Sequence, residues 1–182
     1  MGHPTEPGSQ SDAELVAAYR AGDERAATEL VTRHARAVAR YLYGAGAADG
    51  EVDDLAQEAF FRAFRKLGTW RGDASFRSWL ITIAGNLLKD EYRRRKGRTV
   101  VSIEGRDIPD RADPEGELAA HEAGDRLREC LQSLPRLQRD VFLLRVQQGA
   151  DYAEIAQALG TTPGAARVHY HHAVKRLKES IK

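Results

Sequence analysis

Apolar residues recur at three- and four-residue intervals along most of the chain, and Gly- or Pro-marked breaks separate the runs, so the pattern predicts helices throughout. Ser11 to Arg20 opens with a capping box of Ser11 and Glu14, turns Leu15, Val16 and Tyr19 inward, and stops at Gly22. Asp23 caps a second helix with Ala27, Leu30, Val31, His34, Val38, Tyr41 and Leu42 on one face, running out in the loose segment Gly44 to Gly50. His34 on that apolar face reads as a core or boundary histidine with no role as a ligand. From Glu51 to Leu67 a third helix sets Val52, Leu55, Ala56, Ala59, Phe60 and Ala63 against a polar face of Asp53, Asp54, Gln57, Glu58, Arg62 and Arg65. Ser75 caps a fourth, in which Phe76, Trp79, Leu80, Ile83, Ala84, Leu87 and Leu88 point inward while Asn86 and Lys89 do not.

Periodicity breaks down from Gly97 to Asp113, where two Pro-containing dipeptides and only a brief strand-like run, Thr99 to Ile103, replace it. Asp113 and Pro114 restart helix, carrying Leu118, Leu127, Cys130, Leu131 and Leu134, and Pro135 starts another with Leu137, Val141, Phe142 and Leu144 inward. The last stretch reads as a helix-turn-helix. Asp151 caps its first helix, with Glu154 closing a capping box and Tyr152, Ile155, Ala156 and Leu159 on one face. Gly160 ends that helix, Thr161 or Thr162 caps the next, and Pro163 occupies its first turn. Ala166, Tyr170, Ala173, Leu177 and Ile181 then face inward, and small Ala156 and Ala166 allow a close crossing. The expected fold is all-α: two small helical domains joined by an acidic flexible linker, the second ending in the helix-turn-helix. The expected divisions are a disordered tail 1–10, a domain 11–96, a linker 97–113 and a domain 114–182.

Charge changes the picture, because a net of +1 conceals segregation. Lys89 to Arg98 holds six Lys/Arg against Asp90 and Glu91, and Pro163 to Lys182 holds five against Glu179. Between them, Glu104 to Asp125 carries eight acidic residues against Arg106 and Arg111. A cationic helix end can merely complement its own dipole, and a helical hairpin can carry a solvated basic face. Five cations from Arg93 to Arg98 exceed what capping needs, and the helix-turn-helix order joined to its charge points to DNA. Its outward residues are Arg167, Val168, His171, His172, Lys175, Arg176 and Lys178, donors of the kind a major groove accepts.

Other chemistry is sparse. His169, His171 and His172 share no face and no Cys lies near them, so no metal site is expected. Cys130 is alone, which excludes an internal disulfide framework and fits a reducing cytoplasm. No run has the length of a membrane span, and the polar start lacks the apolar core of a signal peptide. No nucleophile and base, metal cluster or phosphate loop stands out, so neither enzymatic activity nor a cofactor is expected.

Taken together, these segments resemble a bacterial RNA polymerase sigma factor of the small, extracytoplasmic-function type. Asp54-Leu-Ala-Gln-Glu58 with Phe60 and Phe61 resembles the family's core-polymerase-binding helix. Phe76 to Leu87, followed by Arg93-Arg-Arg-Lys96, resembles its promoter −10 helix, and Leu134 to Arg145 leads into a −35-reading motif as in the family's second domain. The resemblance implies that Asp54, Gln57 and Glu58 dock on core RNA polymerase. It implies that Asn86 lies beside an extruded base of the −10 element, with Lys89, Arg93 and Arg94 on backbone, and that Arg167, Val168, His171, Lys175 and Arg176 face −35 DNA. The acidic linker would thread a basic channel of the polymerase. Promoter DNA, core RNA polymerase and an anti-sigma factor are the implied partners, in the cytoplasm and at the nucleoid when active, without membrane insertion. The chain departs from the family pattern at Gly85, where Arg is frequent, in having Arg167, Val168 and His169 where Lys, Ser and Arg are usual, and in entering the recognition helix through Pro163-Gly-Ala-Ala166. Two other readings share parts of the pattern: a two-domain helix-turn-helix regulator not bound to polymerase, and a helical adaptor whose basic faces bind acidic protein. The first domain shows no acidic phosphorylation pocket or α/β alternation, and steep salt dependence with a need for DNA and polymerase separates the adaptor.

Overall fold

The computed structural model describes residues 10–98 and 116–180, in which the chain forms eight α-helices and no strand. The Thr99–Ile103 run and most of the acidic linker lie outside the described residues. Helix α1 (Asp12–Arg20) starts at the expected capping box, with Ser11 Oγ accepting from the Glu14 amide and the Glu14 carboxylate accepting from the Ser11 amide at 2.6 Å. Helix α2 (Glu24–Ala45) is capped by Asp23 and ends at Gly46, whose φ of 102° only glycine adopts freely. It takes in Gly44 and Ala45, two residues expected in the loose segment, because Gly44 sits against the side chain of Leu143 from the other half of the chain.

His34 of α2 is buried and pairs through Nε2 with the Asp12 carboxylate at 2.8 Å, while Arg33 donates to the other oxygen of Asp12 at 2.8 Å. Burial alone would raise the Asp12 pKa, but the hydrogen bonds and charges of His34 and Arg33 outweigh it and hold the carboxyl below its ordinary range. A depressed carboxylate pKa contributes stability above the unfolded value, near 3.8, and loses it as pH falls through the folded value. Asp12→Ala is therefore expected to lower the thermal midpoint by several degrees at neutral pH, corresponding to ~1–3 kcal/mol for a hydrogen-bonded charged group. The deficit should shrink on acidification, which calorimetry at two pH values checks.

Helices α3 (Val52–Arg65) and α4 (Phe76–Arg98) complete the first domain, and α4 runs two residues past the expected end at Lys96. Phe76 packs edge-on against Trp70, and Leu80, Ala84 and Leu87 are buried with Leu30 and Leu42 in one core. Tyr92 donates to the Gly46 carbonyl at 2.8 Å, tying the cationic end of α4 to the end of α2.

The second domain comprises α5 (Gly116–Ser133), α6 (Arg136–Gln148), α7 (Tyr152–Leu159) and α8 (Pro163–Ser180). Gly149 and Gly160, both left-handed, set the turns around α7, and Thr162 Oγ1 accepts from the Ala165 amide, so Thr162 rather than Thr161 is the cap. Ile155, Ala156, Ala166, Ala173 and Leu177 are buried as the spacing required. Leu127 is not: it is 44% exposed, because α5 meets α2 through Arg128, whose guanidinium lies 4.1 Å from the Tyr43 ring centroid and donates to the Ala47 carbonyl.

The two domains are packed together, α5 and α6 against α2 and α7 against α4. This buries residues on helix faces that the periodicity left outward, among them Ser78, Ile81, Asp140 and Leu143.

Candidate functional site

The polar face of α3 presents Asp54 and Gln57 to solvent, with Glu58 half-exposed and paired to Arg62 at 2.7 Å. Spacings of three and four place these side chains on one stripe. The same stripe continues into Phe61, 57% exposed, with the Arg65 guanidinium 5.6 Å from its ring centroid. Phe60 and Phe61 cannot both enter the core from consecutive helical positions, and this was the sequence signal for an exposed aromatic that the reading above left without a role.

On α4, Arg93 and Arg94 are exposed and Lys89 is half-buried. Arg94 pairs with Glu91 at 2.7 Å, and Arg95 is paired with Glu51 and Glu91. Lys89 and Arg93 have no hydrogen-bond or ion-pair partner among the described residues, so their charge is not compensated by a neighbouring side chain there.

Asn86 is exposed but engaged. Its Oδ1 accepts from Arg136 of α6 at 3.3 Å, and the same guanidinium reaches the Gly85 carbonyl at 3.4 Å. Arg136 also holds Asp140 at 3.2 Å, and buried Asp140 accepts from the Tyr41 hydroxyl of α2 at 3.0 Å. Burial raises the Asp140 pKa and outweighs the opposing effects of Arg136 and Tyr41. Burial likewise holds the Tyr41 hydroxyl well above its ordinary range, with the Asp140 charge adding to the effect. Gly85 makes room for the cluster: a Cβ built there would stand 2.5 Å from the Tyr41 oxygen.

A second seam joins α4 to α7. The Glu154 carboxylate accepts from the Ser75 amide at 3.2 Å and the Ser78 hydroxyl at 3.0 Å, and Thr82 donates to the Ala158 carbonyl at 3.1 Å. Asp151 caps α7 by accepting from the Glu154 amide, but the Glu154 side chain caps the start of α4 instead of closing the expected box within its own helix. The gain for Glu154 is two donors in place of one at the favourable end of a helix dipole. In this closed arrangement one side of α4 is covered by the second domain, and Asn86, still exposed at the edge of the seam, is held by Arg136.

Helix α8 leaves Arg167, Val168, His171, His172, Lys175 and Arg176 exposed together on its outer surface. Arg167 stacks over Tyr152 at 5.3 Å, and Arg145 approaches the same ring at 5.0 Å. His169 is half-buried, apart from exposed His171 and His172.

Two family models match the chain: sigma-70 region 2 over residues 30–98 and sigma-70 region 4 over residues 124–177. They define a two-domain protein of the sigma-70 class. The chain is 33% identical over 168 residues to the ECF RNA polymerase sigma factor SigM of Mycobacterium tuberculosis, across 92% of this chain and 83% of that protein. It is 30% identical over 181 residues to the ECF RNA polymerase sigma-E factor of Escherichia coli K12, across 94% of each. The chain belongs to the extracytoplasmic-function family of RNA polymerase sigma factors. Among solved structures, CnrH in complex with the cytosolic domain of CnrY matches with a TM-score of 0.74 at 27% identity, over 94% of this chain and 97% of that one. No helix among the described residues is long and apolar enough to cross a membrane.

Proposed function

We infer that this protein is a transcription initiation factor that binds core RNA polymerase and directs it to promoters through −10 and −35 elements. The observation that carries this is the coincidence, over nearly the whole chain, of family membership with three separate exposed surfaces of suitable chemistry. In this reading residues 11–96 are the domain for polymerase and the −10 element, extended by the last residues of α4, and residues 114–182 read −35 DNA. Residues 1–9 and 99–115, on which the expected tail and most of the expected linker fall, lie outside the described residues. The action is binding and positioning, in the cytoplasm, without catalysis by this chain.

Asp54, Gln57 and Glu58, with Phe61 added, form the polymerase surface. Reversing charge at Asp54 and Glu58 is expected to weaken assembly with core enzyme while leaving the circular dichroism spectrum and thermal midpoint near wild type, since neither residue is buried. Equal affinity of wild type and Asp54→Lys/Glu58→Lys for core enzyme would refute the assignment.

Asn86 reads a −10 base, while Lys89, Arg93 and Arg94 hold phosphates. Base edges specify and phosphates position. Asn86→Ala should relax preference at one promoter position, whereas Arg93→Ala should weaken binding to all sequences and flatten its salt dependence by about one unit of slope. Titrations against a set of single-base variants at two salt concentrations distinguish these outcomes; uniform loss for Asn86→Ala counts against its role.

The closed arrangement fits an inactive form, because Arg136 occupies Asn86 and α7 covers part of α4. CnrH was solved with the cytosolic domain of CnrY, and by analogy a partner protein of the anti-sigma type would hold this chain in its closed form.

A further inference from the structure

Between the domains lies a cavity of about 420 Å³ to which α2, α4, α5 and α6 all contribute. Four cations line it: Lys89 and Arg93 from α4, Arg136 and Arg139 from α6. Arg136 is committed to Asp140, but Lys89, Arg93 and Arg139 have no hydrogen-bond or ion-pair partner among the described residues. The Arg139 Nε is buried and unpartnered, an arrangement that costs free energy unless something accepts its hydrogen. The remaining wall is largely apolar and aromatic, from Ala45, Leu88, Tyr41 and Tyr92 with Gly85, and it also holds the Gln132 amide and the Asp140 carboxylate, which Arg136 and Tyr41 engage. One helix of each domain, α4 and α6, sets these cations around one space.

We propose that this cavity binds a small polyanion with a flat apolar body, of the nucleoside di- or triphosphate class, and that its occupation holds the two domains closed. Size agrees, since ligand cavities commonly enclose about 300–1,000 Å³. Charge agrees, since four cations against the single Asp140 carboxylate leave a surplus of positive charge, with Lys89 and Arg93 unpaired among the described residues, that suits two or more phosphate groups. The apolar wall and Gln132 suit a base, which separates this class from inorganic phosphate. Duplex DNA, the other source of phosphate, is too wide for the cavity and would engage Lys89 and Arg93 only after the domains part. A ligand that requires residues from both domains binds the closed form alone, so it shifts the population toward closure and withholds Asn86, Lys89 and Arg93 from promoter DNA. This regulatory consequence rests on the function proposed above; the binding itself does not.

The test is calorimetric titration of the full-length protein, without polymerase or DNA, with ADP, GDP, inorganic pyrophosphate and adenosine. At least one of the two nucleotides should bind saturably below about 1 mM and at least fivefold more tightly than either pyrophosphate or adenosine. Arg139→Gln should weaken that binding by about tenfold or more, as loss of a charge-assisted contact does, and Lys89→Gln provides a second variant from the other domain should the first not fold. Small-angle scattering should show a smaller radius of gyration with nucleotide than without, and Gly85→Arg, which disrupts the closed seam, should bind nucleotide at least tenfold more weakly. Absence of saturable nucleotide binding, equal affinity for pyrophosphate, or undiminished binding by both charge variants each overturns the proposal. None of these results touches polymerase assembly, which is measured separately with core enzyme, so failure of this site and failure of the promoter-factor reading are distinguishable.

Discussion

Gly85→Arg is expected to open the closed arrangement and expose the −10 surface, giving a larger radius of gyration and faster amide exchange in α7 and at Ser75–Ser78. The cause lies at the Cβ rather than in the charge. An atom at that position would stand 2.5 Å from the Tyr41 oxygen, inside contact distance, so the hydroxyl must move off the position from which it donates to Asp140. Overpacking of this kind costs about 1–3 kcal/mol, and displacement of the hydroxyl deprives buried Asp140 of a donor at a further cost of ~1–3 kcal/mol. Both costs fall on the seam between α2, α4 and α6; elsewhere the domains are joined by the Glu154 and Thr82 contacts of α7 and by Arg128 of α5 on α2. Gly85→Ala separates sterics from charge and should open the seam as well. Binding of a single-stranded −10 probe should rise several-fold in both variants, because Asn86 is released from Arg136. An unchanged radius of gyration in both would show that Tyr41 is not the linchpin of closure.

The same seam carries a pH dependence. Because burial raises the Asp140 pKa on closing, protonation favours the closed form: the contribution is present below the ordinary carboxylate value of about 3.8 and is lost as pH rises through the raised one. Compaction of the wild type should therefore strengthen as pH falls from neutral toward that window. Asp140→Asn, which keeps an acceptor for Tyr41 but cannot ionise, should remove this part of the response.

Arg167→Ala is expected to reduce discrimination at one −35 base by about 1–3 kcal/mol, roughly 5- to 150-fold, with little change in stability. Arg167 is exposed on the outer surface of α8, and among the described residues its partner is the Tyr152 ring. A cation over an exposed ring is worth about 0.5–1 kcal/mol, less than a bidentate guanine contact, so the guanidinium can leave Tyr152 for a base edge at a net gain. Stacking meanwhile limits the rotamers that must be ordered on binding. Lys175 and Arg176 lie two turns farther along, and their removal should weaken all −35 duplexes alike while flattening the salt dependence. His171→Ala distinguishes a contact from a solvated side chain, with His172→Ala as control. Undiminished base preference in Arg167→Ala would mean that another face of α8 meets the groove.

The helices and their ends were legible because the information is local. Ser11 and Asp151 cap as their hydroxyl and carboxylate positions demand, and Gly160 takes the left-handed conformation expected where its helix ends. The inward stripes of α2, α3 and α8 follow from spacings of three and four residues, and so do the three candidate surfaces, whose residues neighbour one another along single helices. Phe61 was legible in principle, from two adjacent phenylalanines competing for one buried face.

Relations between the two halves of the chain were not legible, since a residue's own helix cannot say what arrives on its far side. Ile81 and Leu143 are apolar residues off the expected stripes, buried only because a second domain covers them. Glu154 had a complete local motif available and still gave its carboxylate to Ser75 and Ser78, some seventy-five positions away along the chain, where two donors at a helix start outcompete one. Asp140 lies off the apolar stripe of its helix, yet it meets Tyr41 at a separation of 99 residues in a space that Gly85 leaves open. The sequence by itself determined the elements, the helix-turn-helix and the charge of each surface, because backbone propensity and side-chain spacing act within a few residues. Only the tertiary structure decided which of those surfaces is covered, since burial depends on contacts between residues far apart in the chain.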